Sequence, residues 1–132
     1  MTADSGSSRG SVLVVDDDMV SRLVLAHMLR RMRFEVLEAD DVGPATEMVA
    51  GSEFCIVFCD FSMPGGTGLD VLARLVRGPG RPGFVLVTGV VDAAKVDGAH
   101  FDSVDAYMTK PVSTRALRAC VDTVLSNRSA SP

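Results

Sequence analysis

The chain has little of what disulfide frameworks, zinc sites and membrane spans are made from. Its three cysteines, Cys55, Cys59 and Cys120, are an odd number without metal-ligand spacing. On one face of an extended strand, Cys55 and Cys59 would stand about 13 Å apart, beyond disulfide reach. They read as buried thiols of a reducing compartment. The two histidines, His27 and His100, form no metal constellation, and His27 falls off the apolar stripe of its helix. No apolar run approaches the roughly 20 residues of a membrane span. The opening MTADSGSSRG has no apolar core and one basic residue, which is neither a secretory signal nor an anchor. Positive charge is not in excess either: 13 Lys plus Arg against 17 Asp plus Glu leave a net charge of -4. That balance argues against nonspecific nucleic-acid binding. The small basic cluster Arg30, Arg31 and Arg33 is read as cations favoured by the C-terminal dipole of a helix. A cytoplasmic protein without membrane insertion is the expectation.

What is present is a single domain of 132 residues, 47% hydrophobic and 23% charged. Short apolar runs alternate with helical patterns, strand then helix, five times. The predicted strands are about 11 to 15, 34 to 39, 54 to 59, 84 to 88 and 106 to 109. Strands rich in Val, Ile, Leu and Phe belong in a parallel sheet buried on both faces, with right-handed crossovers placing helices on both sides. The second strand sets Phe34, Val36 and Glu38 against Glu35, Leu37 and Ala39, a weak alternation suited to an edge.

The first helix, about 19 to 32, carries Leu25, Met28, Leu29 and Met32 at helical spacing, with Asp18 as its cap. A short helix at about 43 to 50 has Pro44 in its first turn. The third, about 68 to 76, is assigned the stripe Leu69, Leu72, Ala73 and Val76, after which GPGRPG breaks the chain. The fourth, within residues 91 to 106, contains Gly98 and few large apolar residues and should be short or frayed. The last, about 113 to 125, turns Leu117, Val121 and Val124 inward. Residues 1–10 and 126–132 read as disordered tails flanking a domain at 11–125.

Polar residues close the apolar runs: Asp16 and Asp17 after SVLVV, Asp60 after FCIVFC, Thr88 after FVLV and Lys110 after AYMT. In parallel sheets, ligand chemistry collects at the carboxyl ends of strands. Carboxylates this close repel by about 3 kcal/mol per pair at 5 Å and an effective dielectric near 20. A divalent cation removes that repulsion. Hard oxygen ligands without histidine or thiolate select Mg²⁺ over zinc. A carboxylate beside Mg²⁺, an ammonium and a hydroxyl suits attack on a phosphoryl group, where catalysis is mostly positioning and charge neutralisation. Asp60, between the acidic pair and Lys110, is the best nucleophile, and Thr88 can donate to a phosphoryl oxygen.

With these residues in view, the chain resembles the receiver domain of two-component response regulators. The resemblance rests on VLVVDDD at 12 to 18, D-x-x-M-P-x-x-x-G as Asp60, Met63, Pro64 and Gly68, VLVTG at 85 to 89, and YMTKP at 107 to 111. It implies a flavodoxin-like doubly wound α/β fold with five parallel strands in the order 2-1-3-4-5. It further implies Asp60 as acceptor of phosphate from a histidine kinase or histidine phosphotransfer protein. Asp16, Asp17, Asp60 and the Ser62 backbone carbonyl would hold Mg²⁺, Asp17 directly. Thr88 and Tyr107 would form the switch pair, Ser62 and Val90 would tune hydrolysis, and the bond before Pro111 would be cis. Output would pass to a protein partner through the face of helix 4, strand 5 and helix 5. Such a protein catalyses its own phosphorylation and dephosphorylation and is not a turnover enzyme.

Some positions depart from the pattern. Val112 stands where Phe is frequent, Gly89 where Ala is usual, Ser103-Val104 where Gly-Ala is common, and Arg33 where Gly often follows the first helix. They bear on the signalling face and leave the phosphorylation residues intact. The length favours a stand-alone receiver. Two alternatives are a haloacid-dehalogenase-like phosphatase using Asp16, whose second acidic pair is missing after Lys110, and a receiver that signals unphosphorylated.

Overall fold

A computed structural model describes residues 8–63, 65–75, 81–89 and 104–130, the side chains of Ser62 and of residues 128–130 excepted. Residues 91–103 of the expected fourth-helix segment, Ser103 included, Val76, Val90, Pro64 and the first half of the GPGRPG loop, 78–80, lie outside the described residues. The elements run β1 (Ser11–Val15), α1 (Met19–Arg31), β2 (Glu35–Ala39), α2 (Val42–Gly51), β3 (Ile56–Asp60), β4 (Ser62–Met63), β5 (Gly66–Thr67) and α3 (Gly68–Leu75). There follow β6 (Gly83–Thr88), β7 (Ala106–Thr109) and a C-terminal helix, Thr114–Ala130. Five strands form one parallel sheet in the order β2-β1-β3-β6-β7, the doubly wound arrangement expected, while β4 and β5 pair separately as a small antiparallel ribbon. No helix among the described residues is long and apolar enough to cross a membrane.

Period-two alternation sends successive strand side chains to opposite faces. Val12, Val14, Ile56, Phe58, Val85 and Val87 face α1 and the C-terminal helix, where Leu25, Leu29, Leu117, Val121 and Val124 meet them. Leu13, Val15, Val57, Cys59, Phe84 and Leu86 face α2 and α3, against Ala45, Val71, Leu72 and Leu75. Each large apolar side chain buried in these layers contributes about 1.5–3 kcal/mol relative to exposure. At the edge, β2 leaves Leu37 exposed. Asp18 caps α1 by accepting from the Ser21 amide at 2.9 Å.

Several boundaries differ from those expected. The buried stripe of α3 is Gly68, Val71, Leu72 and Leu75, one residue out of step, with Ala73 exposed. Both sets have helical spacing; contact of Gly68 with β3, described below, fixes the rotation. Cys55 precedes β3 and packs on the first apolar layer while Cys59 lies in the second, so the two do not share a face. Residues 8–10 are not a tail: Arg9 donates its amide to the Arg33 carbonyl and stacks over the Phe34 ring, and the Gly10 carbonyl accepts from Glu35. Residues 126–130 continue the C-terminal helix because no Gly or Pro interrupts the sequence from Thr114 to Ala130.

Arg33 follows α1 with φ 77°. Its amide donates to Arg30 and that of Phe34 to Leu29, the paired bonds of a Schellman ending, which glycine normally completes.

Candidate functional site

Strand register assembles the rim. Val15 pairs with Cys59, so the next residues, Asp16 and Asp60, emerge side by side. Asp60 pairs with Val87, which places Thr88 one step further on the adjoining strand. Thr88 pairs with Thr109, and the following amide, Lys110, donates to the Thr88 carbonyl at 2.8 Å. Asp16, Asp60 and Thr88 are 4%, 7% and 3% exposed, and they are the buried polar or charged residues among those described. A fold that buries polar groups at one place has built something there.

Carboxylate oxygens of Asp16, Asp17 and Asp60 lie within 4.8 Å of one another. Lys110 Nζ sits 2.7 Å from Asp16 Oδ2 and 3.5 Å from Asp60 Oδ2. Burial, then the charge of Asp16, pushes the Asp60 carboxyl up from its ordinary 3.8 to about 6, with Lys110 opposing. For Lys110, burial acts downward, but the hydrogen bond to Asp16 and the charges of Asp60 and Asp16 outweigh it and hold the ammonium above its ordinary value. Burial, then Asp60 and Asp16, pushes the Cys59 thiol up, and the ligand atoms that gather at the rim are those of the three aspartates. The donor set is therefore carboxylate oxygen, suited to a hard divalent cation.

Further side chains hold this rim in place. The Asp16 amide donates to Ala39 and its Oδ1 accepts from the Asp18 amide at 2.9 Å. Arg22 donates through Nη1 to the Asp16 carbonyl at 2.9 Å and through Nε to Glu38 Oε1 at 3.1 Å. Asp41 Oδ1 accepts from Val42 at 2.7 Å and from Gly65 at 3.0 Å, tying the loop after Asp60 to the start of α2. At Gly68 a Cβ would stand 2.7 Å from the Asp60 carbonyl and 2.8 Å from Leu86 Cδ2, so only glycine fits. Arg22 and Asp41 were not picked out from the sequence. The available signal was Glu38, a charge on the helix-facing side of β2.

Of the remaining expected residues, Tyr107 is 47% exposed, and the Lys110–Pro111 peptide is cis. Ser62 pairs with Thr67 in the ribbon. Val112 packs on the first apolar layer and Val104 on the second. Among the described residues, none comes within 4 Å of where a methyl group on Gly89 would go. Beside Lys110 an apolar groove opens between Val20, Val24 and Met28 of α1 and Pro111 and Val112.

Comparison with known proteins agrees with this geometry. The family described as response regulator receiver domain matches residues 12–122. Chemotaxis protein CheY of Pseudomonas aeruginosa is 32% identical over 117 residues, covering 86% of this chain and 94% of that one. Response regulator protein PilR of the same species is 33% identical over 92% of this chain, which spans only 27% of PilR. Among solved structures, the signal receiver domain of an HD domain-containing protein from Pseudomonas fluorescens superposes with a TM-score of 0.81. It is 22% identical and covers 93% of this chain and 99% of that one. These matches weigh against the phosphatase alternative, and the Asp16 carboxylate it would use is engaged by Lys110 and the Asp18 amide. On the register, the acidic rim and these matches together, the chain belongs to the receiver domain family of two-component response regulators.

Proposed function

We propose that the chain accepts a phosphoryl group on Asp60 from a phosphohistidine of a histidine kinase or phosphotransfer protein. The observation that carries this reading is the Asp60 carboxylate, nearly buried, clustered with the acidic pair and with the Lys110 ammonium reaching both it and Asp16. An Asp60 oxygen attacks phosphorus, the P–N bond to the donor imidazole breaks with its electron pair leaving on nitrogen, and an acyl phosphate forms. With a carboxyl pKa of about 6, Asp60 is mostly ionised at neutral pH and able to attack. Asp16, Asp17, Asp60 and the Ser62 backbone carbonyl would hold Mg²⁺, which neutralises charge on the transferring group when bound. Lys110 supplies the fixed positive charge, and Thr88 the hydroxyl that can donate to a phosphoryl oxygen.

Phosphorylation then draws the Thr88 hydroxyl toward the phosphoryl group and Tyr107 inward from its exposed position, changing the face that a protein partner reads. Ser62 and Val90, each two residues beyond a site residue, tune the lifetime of the acyl phosphate. Val90 cannot orient a water by hydrogen bonding, so hydrolysis without a partner is slow and Val90→Glu alters it. Incubation with Mg²⁺ and acetyl phosphate should add a single phosphoryl group, about 80 Da by intact mass. Absence of that adduct refutes the assignment and leaves a receiver that signals unphosphorylated; its persistence in Asp60→Asn refutes Asp60 as the acceptor.

A further inference from the structure

Asp16 is held at every polar atom. Its amide donates to Ala39, Oδ1 accepts from Asp18, Oδ2 meets Lys110, and its carbonyl accepts from Arg22. That carbonyl belongs to the peptide linking Asp16 to Asp17, so whatever orients it orients the backbone from which the exposed Asp17 carboxylate hangs. Arg22 reaches it from the first turn of α1. The guanidinium is itself fixed, its Nε on Glu38 Oε1 while Glu38 Oε2 pairs with Arg30 at 3.2 Å and Arg30 also donates to the Val36 carbonyl. The side chains of Arg22 and Glu38 are 17% and 23% exposed. A rigid planar fork pointing one donor at β2 and another at the end of β1 sets a distance that a lysine cannot reproduce.

We infer that Arg22, braced by Glu38, is a positioning residue for the divalent cation site: it holds the Asp16–Asp17 peptide in the orientation that presents Asp17 to the metal. The inference rests on the metal role proposed for the acidic pair. Arg22 has a second, opposed effect that makes the idea testable. As a cation bonded to the carbonyl of Asp16, one residue from Asp17, it repels a metal held there, so if charge were all that mattered, removing it would tighten binding. Positioning requires that removal weaken binding despite the charge gained.

The test is Mn²⁺ titration followed by the electron paramagnetic resonance signal of the free ion, on whole, folded chains checked by circular dichroism. Mn²⁺ is an oxygen-preferring probe for this donor set. Arg22→Met and Arg22→Lys should each weaken Mn²⁺ binding on the order of tenfold, the range found for partners that orient metal ligands. Arg22→Lys keeps the charge and the fold while losing the fork, so it decides the matter should Arg22→Met fold poorly. Tighter binding in Arg22→Met, or wild-type binding in Arg22→Lys, overturns the positioning role. Wild-type protein that binds no Mn²⁺, or Asp17→Asn that binds it as well as wild type, overturns the metal assignment itself and the inference with it.

Discussion

Replacing the proposed phosphoacceptor should make the metal-free protein more stable, not less. Asp60 lies in the fold with its carboxyl raised to about 6, chiefly by burial and by Asp16. The displacement from 3.8 corresponds to about 3 kcal/mol of differential stability between its protonated and ionised forms. Because the folded pKa is the higher one, the native state binds more protons than the unfolded chain between about pH 4 and 6. Stability therefore falls as pH rises through that window and levels off above it. Asp60→Asn removes the titration, so at pH 7.5 the variant should exceed wild type by about 1–3 kcal/mol. The lower end applies because Lys110, 3.5 Å away, loses a partner. Near pH 4 the gap should close. Groups that Asp60 does not perturb, such as Asp18 with its carboxyl lowered by hydrogen bonding to the Ser21 side chain and amide, titrate alike in both proteins and cancel. Urea unfolding followed by circular dichroism in EDTA at several pH values measures the gap. A variant no more stable than wild type at pH 7.5, or a gap independent of pH, refutes the reasoning.

Three further outcomes are expected. Gly68→Ala forces a methyl group against the Asp60 carbonyl and Leu86, and should lower stability by about 1–3 kcal/mol in urea unfolding while slowing acetyl phosphate loading. Arg33→Gly relieves the positive φ at the end of α1 and should raise stability by about 1 kcal/mol, visible as a higher urea midpoint with unchanged slope. Asp17→Asn removes one of the charges proposed to hold the metal, so Mg²⁺ affinity measured by calorimetry and phosphoryl loading measured by intact mass should fall together.

Much of the fold was legible because fully buried strands leave an unmistakable trace: β1, β3 and β6 are nearly continuous apolar runs, each closed by a polar residue. The same trace located Asp16, Asp60 and Thr88, since a polar residue at the end of such a run stands at the sheet rim. The α3 stripe was misplaced because two adjacent registers were equally apolar. A backbone contact between Gly68 and Asp60 chose between them, and no periodicity records that contact. Residues 8–10 and 126–130 were placed in tails for a related reason. Arg9 and the last turns of the C-terminal helix look polar and loose in one dimension, yet the first is tied down by Arg33 and Phe34 and the second meets no helix breaker. Arg22 and Asp41 act through backbone partners distant in sequence, which leave no compositional mark.

The shared bond of Asp41 has a mechanical consequence. One carboxylate oxygen accepts from the first amide of α2 and from Gly65 in the turn beyond Asp60, where the glycine leaves no room for anything but that oxygen. Turn and helix are thereby clamped as one block, and Arg22 clamps the end of β1 to α1 and β2 in the same way. The acidic flank of the site thus works as an anvil. On the phosphorylation role proposed above, a change of charge at Asp60 would meet stiff backing there and be taken up by the flank formed by Thr88 and Lys110.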